Sequence, residues 1–280
     1  MFQDFKYGLN RSNLVELNLM NNKLGDVSVK YIAQAIGGVC QIAKLNLTCT
    51  KMSYKGAVSI LYATIKATKL IELTLDRNYL DGAKLRVIRE MLMQNKRLET
   101  LNMNECQLGE DGAEYFAGGL PANNTLHYLN LASNNFGDAG VEQLATGMIV
   151  HKGFQLKHLD LSNNFVSDEA GKQLAVGLAH NHTLLSLSLA ENTLTEESGL
   201  AILETMKVHP VLSRMDLSKN LIPIRYVLEI HRHCERNNEK TDPKQVPRLV
   251  REHESWMNRR ISSTDFQHVA KQLNHYKRLE

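Results

Sequence analysis

The sequence predicts an α/β solenoid, a single elongated array of strand–helix repeats. Three observations point to it. First, eight segments align in phase: LVELNLMNNKL (14–24), IAKLNLTCTKM (42–52), LIELTLDRNYL (70–80), LETLNMNECQL (98–108), LHYLNLASNNF (126–136), LKHLDLSNNFV (156–166), LLSLSLAENTL (184–194) and LSRMDLSKNLI (212–222). The starts at 14, 42, 70, 98, 126, 156, 184 and 212 keep one constant interval, except that the step from the fifth to the sixth is longer by two. Second, each segment alternates apolar and polar residues as a half-buried strand does. Third, the residues after each segment carry apolar side chains at helical spacing.

The segment 1–13, before the first full copy, is too short for a repeat. GLNRSNL (8–14) matches the helix ends GLPANNTL (119–126) and GLAHNHTL (177–184), so the chain starts inside a repeat. A solenoid leaves its terminal repeat with one apolar side uncovered. Either a small cap using Phe2, Phe5 and Tyr7 or another chain is expected to cover it, and the second is favoured; the same start also fits a fragment of a longer protein.

Within each copy the fourth and sixth positions form the buried side of a short strand. The ninth position is Asn22, Asn78, Asn134, Asn164, Asn192 and Asn220, with Thr50 and Cys106 as the exceptions. A buried carboxamide there can satisfy the backbone groups of a tight turn in its own and the adjoining copy, so these asparagines are expected to be structural. Counted from each copy's start, offsets 15, 18, 19 and 22 are apolar, as in Val29, Ile32, Ala33 and Ile36, or Ala113, Phe116, Ala117 and Leu120. That is one stripe of an amphipathic helix. The Gly and Asp before it, such as Gly109, Asp111, Gly137 and Asp138, suit a turn and a helix start.

These segments resemble the leucine-rich repeats of the ribonuclease-inhibitor class, over about residues 14–236. The resemblance implies parallel strands on a concave inner face, helices on the convex outer face and a curved horseshoe segment. Spacing gives the curvature: strands repeat at about 4.8 Å and packed helices need about 9 Å. Eight copies would then make roughly half a ring. The class includes inhibitors, GTPase activators, innate sensors and cytoskeletal or ciliary scaffolds, so the fold by itself does not choose a function.

After Cys234 the repeat is expected to break, with Asn237, Asn238, Pro243 and Pro247 marking a connection. Residues 237–280 then form a basic helical tail. One helix is expected over 248–260, with Leu249, Val250, Trp256 and Met257. Ser262, Ser263 and Thr264 offer N-caps for a second, striped by Phe266, Val269, Ala270, Leu273 and Tyr276. The 33 basic and 30 acidic residues leave a net charge of +3. The tail holds nine of the basic and six of the acidic groups, so residues 1–236 are neutral and the tail carries the whole excess. The tail either caps the eighth repeat or docks on a partner, in which case Trp256, Arg259, Arg260, Phe266, Val269, Leu273 and Tyr276 are its candidate contacts.

A charge of +3 does not argue for nucleic acid, and no apolar run spans a bilayer. Four scattered cysteines fit thiols in a reducing compartment. N-x-[ST] matches at Asn10, Asn46, Asn123 and Asn181 would need secretion, which nothing in the sequence supports. Phosphate-binding, dinucleotide, nucleophile-elbow and zinc-protease motifs are absent. DRNYLDG (76–82) lacks the spaced acids of a calcium loop and sits on a repeat turn. His231 and Cys234 fall at stripe offsets 19 and 22, which makes Cys234 a small buried hydrophobe and His231 a core-edge residue rather than metal ligands. No cofactor and no metal are expected.

The remaining candidates lie on the concave face, in Glu72, Asp76, Glu99, Glu105, Tyr128, His158 and Arg214. Its first four repeats are acidic on balance and its last four are neutral. The expected function is a non-enzymatic scaffold or adaptor that binds other proteins within a larger intracellular assembly, in the cytoplasm, cytoskeleton or cilium. Alternatives are a Ran-type GTPase-activating protein, against which the basic tail argues, and the ligand-sensing repeats of an innate immune receptor.

Overall fold

The computed structural model describes residues 2–150 and 155–240, with side chains for 7–148 and 155–239. Eight three-residue strands form one open sheet in chain order: β1 (Glu16–Asn18), β2 (Lys44–Asn46), β3 (Glu72–Thr74), β4 (Thr100–Asn102), β5 (Tyr128–Asn130), β6 (His158–Asp160), β7 (Ser186–Ser188) and β8 (Arg214–Asp216). All seven pairings are parallel. Leu17, Leu45, Leu73, Leu101, Leu129, Leu159, Leu187 and Met215 stand side by side along the stack, on the side that faces the core. The longer step between the fifth and sixth copies leaves the register unchanged, since Tyr128 still pairs with His158.

A helix α1 (Phe2–Arg11) precedes β1, and a helix follows each strand: α2 (Gly25–Ile36), α3 (Tyr54–Lys66), α4 (Val87–Gln94), α5 (Gly109–Gly119), α6 (Gly137–Val150), α7 (Asp168–His180), α8 (Glu196–Val208) and α9 (Ile224–Lys240). Helices α1 to α8 pack side by side in order. The predicted stripe is the buried face. Val29, Ile32, Ala33 and Ile36 are buried in α2, and Val141, Leu144, Ala145 and Met148 in α6. The third repeat departs from the pattern: a 3-10 turn over Gly82–Lys84 precedes a helix of only eight residues. A Cβ on Gly82 would lie 1.6 Å from the Leu108 carbonyl oxygen, so only glycine lets the two backbones meet there.

Three sets of hydrogen bonds run between neighbouring repeats. The first is the asparagine ladder. Asn134 Nδ2 donates to the carbonyls of Met103, Leu131 and Ala132 at 2.7, 3.0 and 3.1 Å, and its Oδ1 accepts from the Cys106 N–H at 3.0 Å. Asn164 and Asn192 continue it by accepting from the N–H of Asn134 and of Asn164. The two exceptions keep the donor: Thr50 Oγ1 donates to Leu47 O at 2.9 Å, and the Cys106 thiol to Leu75 O at 3.3 Å. Burial drives the Cys106 thiol pKa well above the ordinary range, so it stays protonated.

The second ladder differs from the expectation for the acidic residues. Asp26, Asp138 and Asp168 cap the helix of the following repeat rather than their own. Asp26 accepts from the N–H of Ser53 and Gly56 and the hydroxyl of Ser53, and Asp138 accepts from Ser167 N–H and hydroxyl. The third ladder stands at the other end of the helices. Asn123 Nδ2 donates to Leu92 O at 2.7 Å, and its Oδ1 accepts from Leu126 N–H at 2.7 Å. Asn95 and Asn181 play the same part, as does His209, whose Nδ1 accepts from Leu212 N–H at 3.0 Å. Asn123 and Asn181 are buried in these bonds and so cannot carry the glycan their sequons would allow.

Two expectations at the C-terminal end are corrected. Asn237 does not open a connection. It is buried inside α9, where Nδ2 donates to the carbonyls of His209 and Leu212, so it is the last rung of the third ladder. His231 is not at the core edge but exposed, 3.5 Å from Glu235; Ile230 and Cys234 fill the buried stripe instead. Burial pushes the Cys234 thiol up to about 12. The two helices expected in the tail, with Trp256, Arg259, Arg260, Phe266, Val269, Leu273 and Tyr276, lie outside the described residues.

Candidate protein-interaction face

Helices occupy one side of the sheet and need more lateral room than strands, so the opposite side is the concave one. Strand periodicity puts alternate side chains there, and the parallel register aligns them into columns. Column one runs Glu16, Lys44, Glu72, Thr100, Tyr128, His158, Ser186, Arg214. Column two runs Asn18, Asn46, Thr74, Asn102, Asn130, Asp160, Ser188, Asp216. Beyond the strands, the residues before the ladder position take left-handed backbone conformations, as in Arg77, Glu105, Glu191 and Lys219.

Four candidates, Glu72, Tyr128, His158 and Arg214, share column one. Lys44 and Glu72 are paired at 3.2 Å. The rings of Tyr128 and His158 lie side by side with centroids 6.1 Å apart. Arg214 is exposed on β8. Asp76 follows β3 and accepts from the Asn104 N–H at 2.8 Å, while Glu105 follows β4 and pairs with Arg77 at 3.2 Å. Glu99 does not join them. It precedes β4 on the rim, where its carbonyl receives the N–H groups of His127 and Tyr128. Burial lowers the pKa of His127 and of Lys157 on that same rim.

The face has a buried floor and wetter ends. Tyr128, Asn130, Asp160, Ser186 and Ser188 in the middle strands are buried, whereas Glu16, Asn18 and Arg214 at the ends are exposed. Asn130 Nδ2 is buried with no acceptor among the described residues. Among those residues no cluster of three or more His, Cys, Asp or Glu could hold a metal, and no helix is long and apolar enough to cross a membrane. The chemistry on offer is that of hydrogen bonding and charge matching across a broad surface.

Sequence reasoning missed the third ladder and the cross-repeat aspartates. Both were readable. Asn95, Asn123, Asn181 and Asn237 hold one common offset from the repeat starts at 70, 98, 156 and 212. Asp26, Asp138 and Asp168 hold another from the starts at 14, 126 and 156.

The family model described as Leucine Rich repeat matches residues 11–33, 94–117, 122–145, 155–175 and 180–203. The chain is 31% identical over 211 residues to human NACHT, LRR and PYD domains-containing protein 14, covering 75% of this chain and 19% of that one. It is 29% identical over 196 residues to the ribonuclease inhibitor of Sus scrofa, covering 69% and 42%. Among solved structures, the Leiomodin-1 Actin-Binding Site 2 structure overlaps 60% of this chain and 95% of its own, at 16% identity and TM-score 0.49. The chain thus spans less than half the length of these curated relatives. Matched repeats, an in-register parallel sheet and the two sets of relatives give one conclusion: the chain belongs to the leucine-rich repeat proteins of the ribonuclease-inhibitor class.

Proposed function

We propose that the chain is a non-enzymatic protein-interaction scaffold that holds a partner on the inner face of its sheet. The observation that carries this reading is the pair of aligned polar columns, whose charged ends at Glu16, Lys44 and Arg214 stand open to a partner. The name of one relative, ribonuclease inhibitor, is that of a protein acting on another protein, which supports the same use of the array. Partner contacts are assigned to Glu72, Asp76, Glu105, Tyr128, His158 and Arg214 on the face, to Glu99 on its rim, and to Trp256, Arg259, Arg260, Phe266, Val269, Leu273 and Tyr276 of the basic tail. The setting is a multiprotein assembly of the cytoplasm, of the cytoskeletal or axonemal kind.

Cross-linking mass spectrometry on native cell extract tests this. Links from other proteins to the strand columns and to residues 237–280 are expected. An endogenous protein that elutes as a monomer with no co-purifying partner overturns the scaffold reading. Stimulation of GTP turnover by Ran overturns the non-enzymatic one.

A further inference from the structure

The edge of the array where each turn passes into its helix changes sign along its length. Helices α5 and α8 open with two acids in the first turn, Glu110 with Asp111 and Glu196 with Glu197, as the positive end of a helix dipole favours. Helix α3 opens with none and carries Lys55 there instead. Beside it, Lys51 and Tyr79 hold the same place in neighbouring turns, which the bond from Thr50 N–H to Asn78 Oδ1 at 3.0 Å keeps in step. Tyr79 is 67% exposed. Lys51, Lys55 and Arg86 are exposed as well, and no carboxylate pairs with them among the described residues. The irregular third repeat completes this corner. Its 3-10 turn delays the start of α4 to Val87 and brings the Lys84 ammonium over the Tyr54 ring, 4.9 Å from the ring centre. The turn is held by the core and by the fourth repeat: Leu85 is fully buried, the Gly82 N–H donates to Gln107 O at 3.3 Å, and the Tyr115 hydroxyl donates to Ala83 O at 3.4 Å. The nearby carboxylates are already engaged, Asp81 with Lys84 and Asp26 with the N–H groups of Ser53 and Gly56.

We infer that this corner of the second and third repeats docks a short acidic segment of a partner protein, with carboxylates on Lys51, Lys55 and Arg86 and an apolar side chain on the open ring of Tyr79. A lysine at the start of α3 is unfavourable to the helix behind it, so its place there is not explained by the fold. Tyrosine and arginine are the side chains that most often carry binding energy at protein interfaces, and a turn fixed in advance loses little freedom on binding. The sign change sets the length of the segment. Adjacent rungs lie about 4.8 Å apart, and the acids Glu110 and Asp111 begin one repeat on, so about four residues of extended chain fit the basic part. The same acids choose the class of partner. A nucleic acid strand or an anionic bilayer laid along this edge would also meet Glu110, Asp111, Glu196 and Glu197 and be repelled. A protein segment places its carboxylates on two rungs and stops. Residues 237–280 have a net charge of the same sign as the corner, so charge matching points to a separate protein. The surface lies on the turn-to-helix edge rather than the inner face, and it goes beyond the scaffold reading.

The test uses the full 280-residue chain and a fluorescein-labelled peptide, EEFEE, at low ionic strength. Carbodiimide coupling of the peptide carboxylates is expected at Lys51 and Lys55, and not at Lys240, Lys244, Lys271 or Lys277 of the basic tail. Replacing Lys51→Glu and Lys55→Glu together should weaken binding at least tenfold. The melting temperature of that variant should be unchanged or higher, because an acid at the start of α3 suits the helix. Tyr79→Ala should weaken binding at least fivefold and Tyr79→Phe less than twofold, and the peptide KKFKK should not bind. The inference is overturned if millimolar EEFEE fails to bind, couples only to the tail, or binds the double variant as well as the parent. It is overturned equally if an oligothymidylate strand or a phosphatidylserine vesicle binds more tightly than the peptide and is released by the same double variant. Self-association of the chain that the double variant abolishes would seat the acidic edge of a second copy on the corner and also overturn it. Cross-links from other proteins to the inner face, without peptide binding, would leave the scaffold reading standing and remove only this corner.

Discussion

The carboxylate of Asp168 accepts both the N–H of Ser198, at 3.1 Å, and its hydroxyl, at 2.5 Å, a full repeat further along the chain. It also accepts from Thr195, which is the N-cap residue of α8. One side chain thus satisfies the N-terminus of a helix in the next repeat. It does what a local cap does within one helix, but across a repeat boundary.

Asp168→Ala is therefore expected to cost about 1–2 kcal/mol at pH 7. Burial opposes ionisation of this carboxyl, but the hydrogen bonds from Ser198 and Thr195 outweigh it and hold the pKa below the usual carboxylate range. A folded value below the unfolded one means the contribution is full above about pH 4 and is lost as the pH falls. Urea unfolding of both proteins at pH 7 and pH 3 checks this; the gap between them should narrow at pH 3.

The asparagine ladder makes a position-dependent prediction. Asn134 is inaccessible and serves three carbonyls and one N–H, so Asn134→Ala should cost about 3 kcal/mol or more by stranding buried backbone groups. Asn22 holds the same place in the exposed first repeat, and among the described residues its side chain bonds Leu19 and Met20. Asn22→Ala should cost under about 1 kcal/mol. Equal losses in chemical denaturation would refute the ladder as a source of stability.

Much of this was legible because the repeat superimposes eight noisy copies of one signal. Leu45, Leu73 and Leu101 recur once per repeat and can be read as one buried strand position without any structure, and Asn78 and Asn134 as one turn position. What stayed hidden was the direction of the bonds. The position of Asp138 or Asp168 beside a helix start suits a local cap, and nothing in the local sequence shows that the group it serves lies 29 or 30 residues on. Asn237 is easily misread for a related reason: two adjacent asparagines look like a turn, and only the offset from the repeat start marks the first as buried. Charge alone puts Glu99 on the face, although the strand begins one residue later.

His209 stands where Asn95, Asn123 and Asn181 stand in other repeats. Its Nδ1 accepts from Leu212, so the proton sits on Nε2, which is buried against the backbone of Leu178 and Asn181 as Asn123 Nδ2 is against Leu92 and Asn95. Burial lowers its pKa, with the nearby His182 acting in the same direction. The neutral form is the folded one. Stability from this site is present above the unfolded value of about 6.5 and falls away as the pH drops through the lower folded value. His209→Asn should keep the Leu212 bond and flatten the loss of stability between pH 7 and pH 5, as read by urea midpoints.

At Gly82 the Leu108 backbone occupies the room a side chain would need. Gly82→Ala should destabilise by about 2 kcal/mol or more, since the clash is with backbone and cannot be relieved by a rotamer change. Gly8 faces open space, and Gly8→Ala should leave the melting temperature within a degree or two or raise it. Thermal melts of the pair separate crowding from a general cost of changing glycine.

The step from β5 to β6 is two residues longer than every other, yet Tyr128 and His158 remain register partners. Hydrogen bonding across the sheet, not contour length between strands, fixes where each rung falls. The array therefore tolerates added chain at that junction as a zip tolerates slack in the cloth beside it. A reporter domain spliced between residues 151 and 154 should leave all eight strands in line, which makes this junction the natural handle for following the protein in living cells.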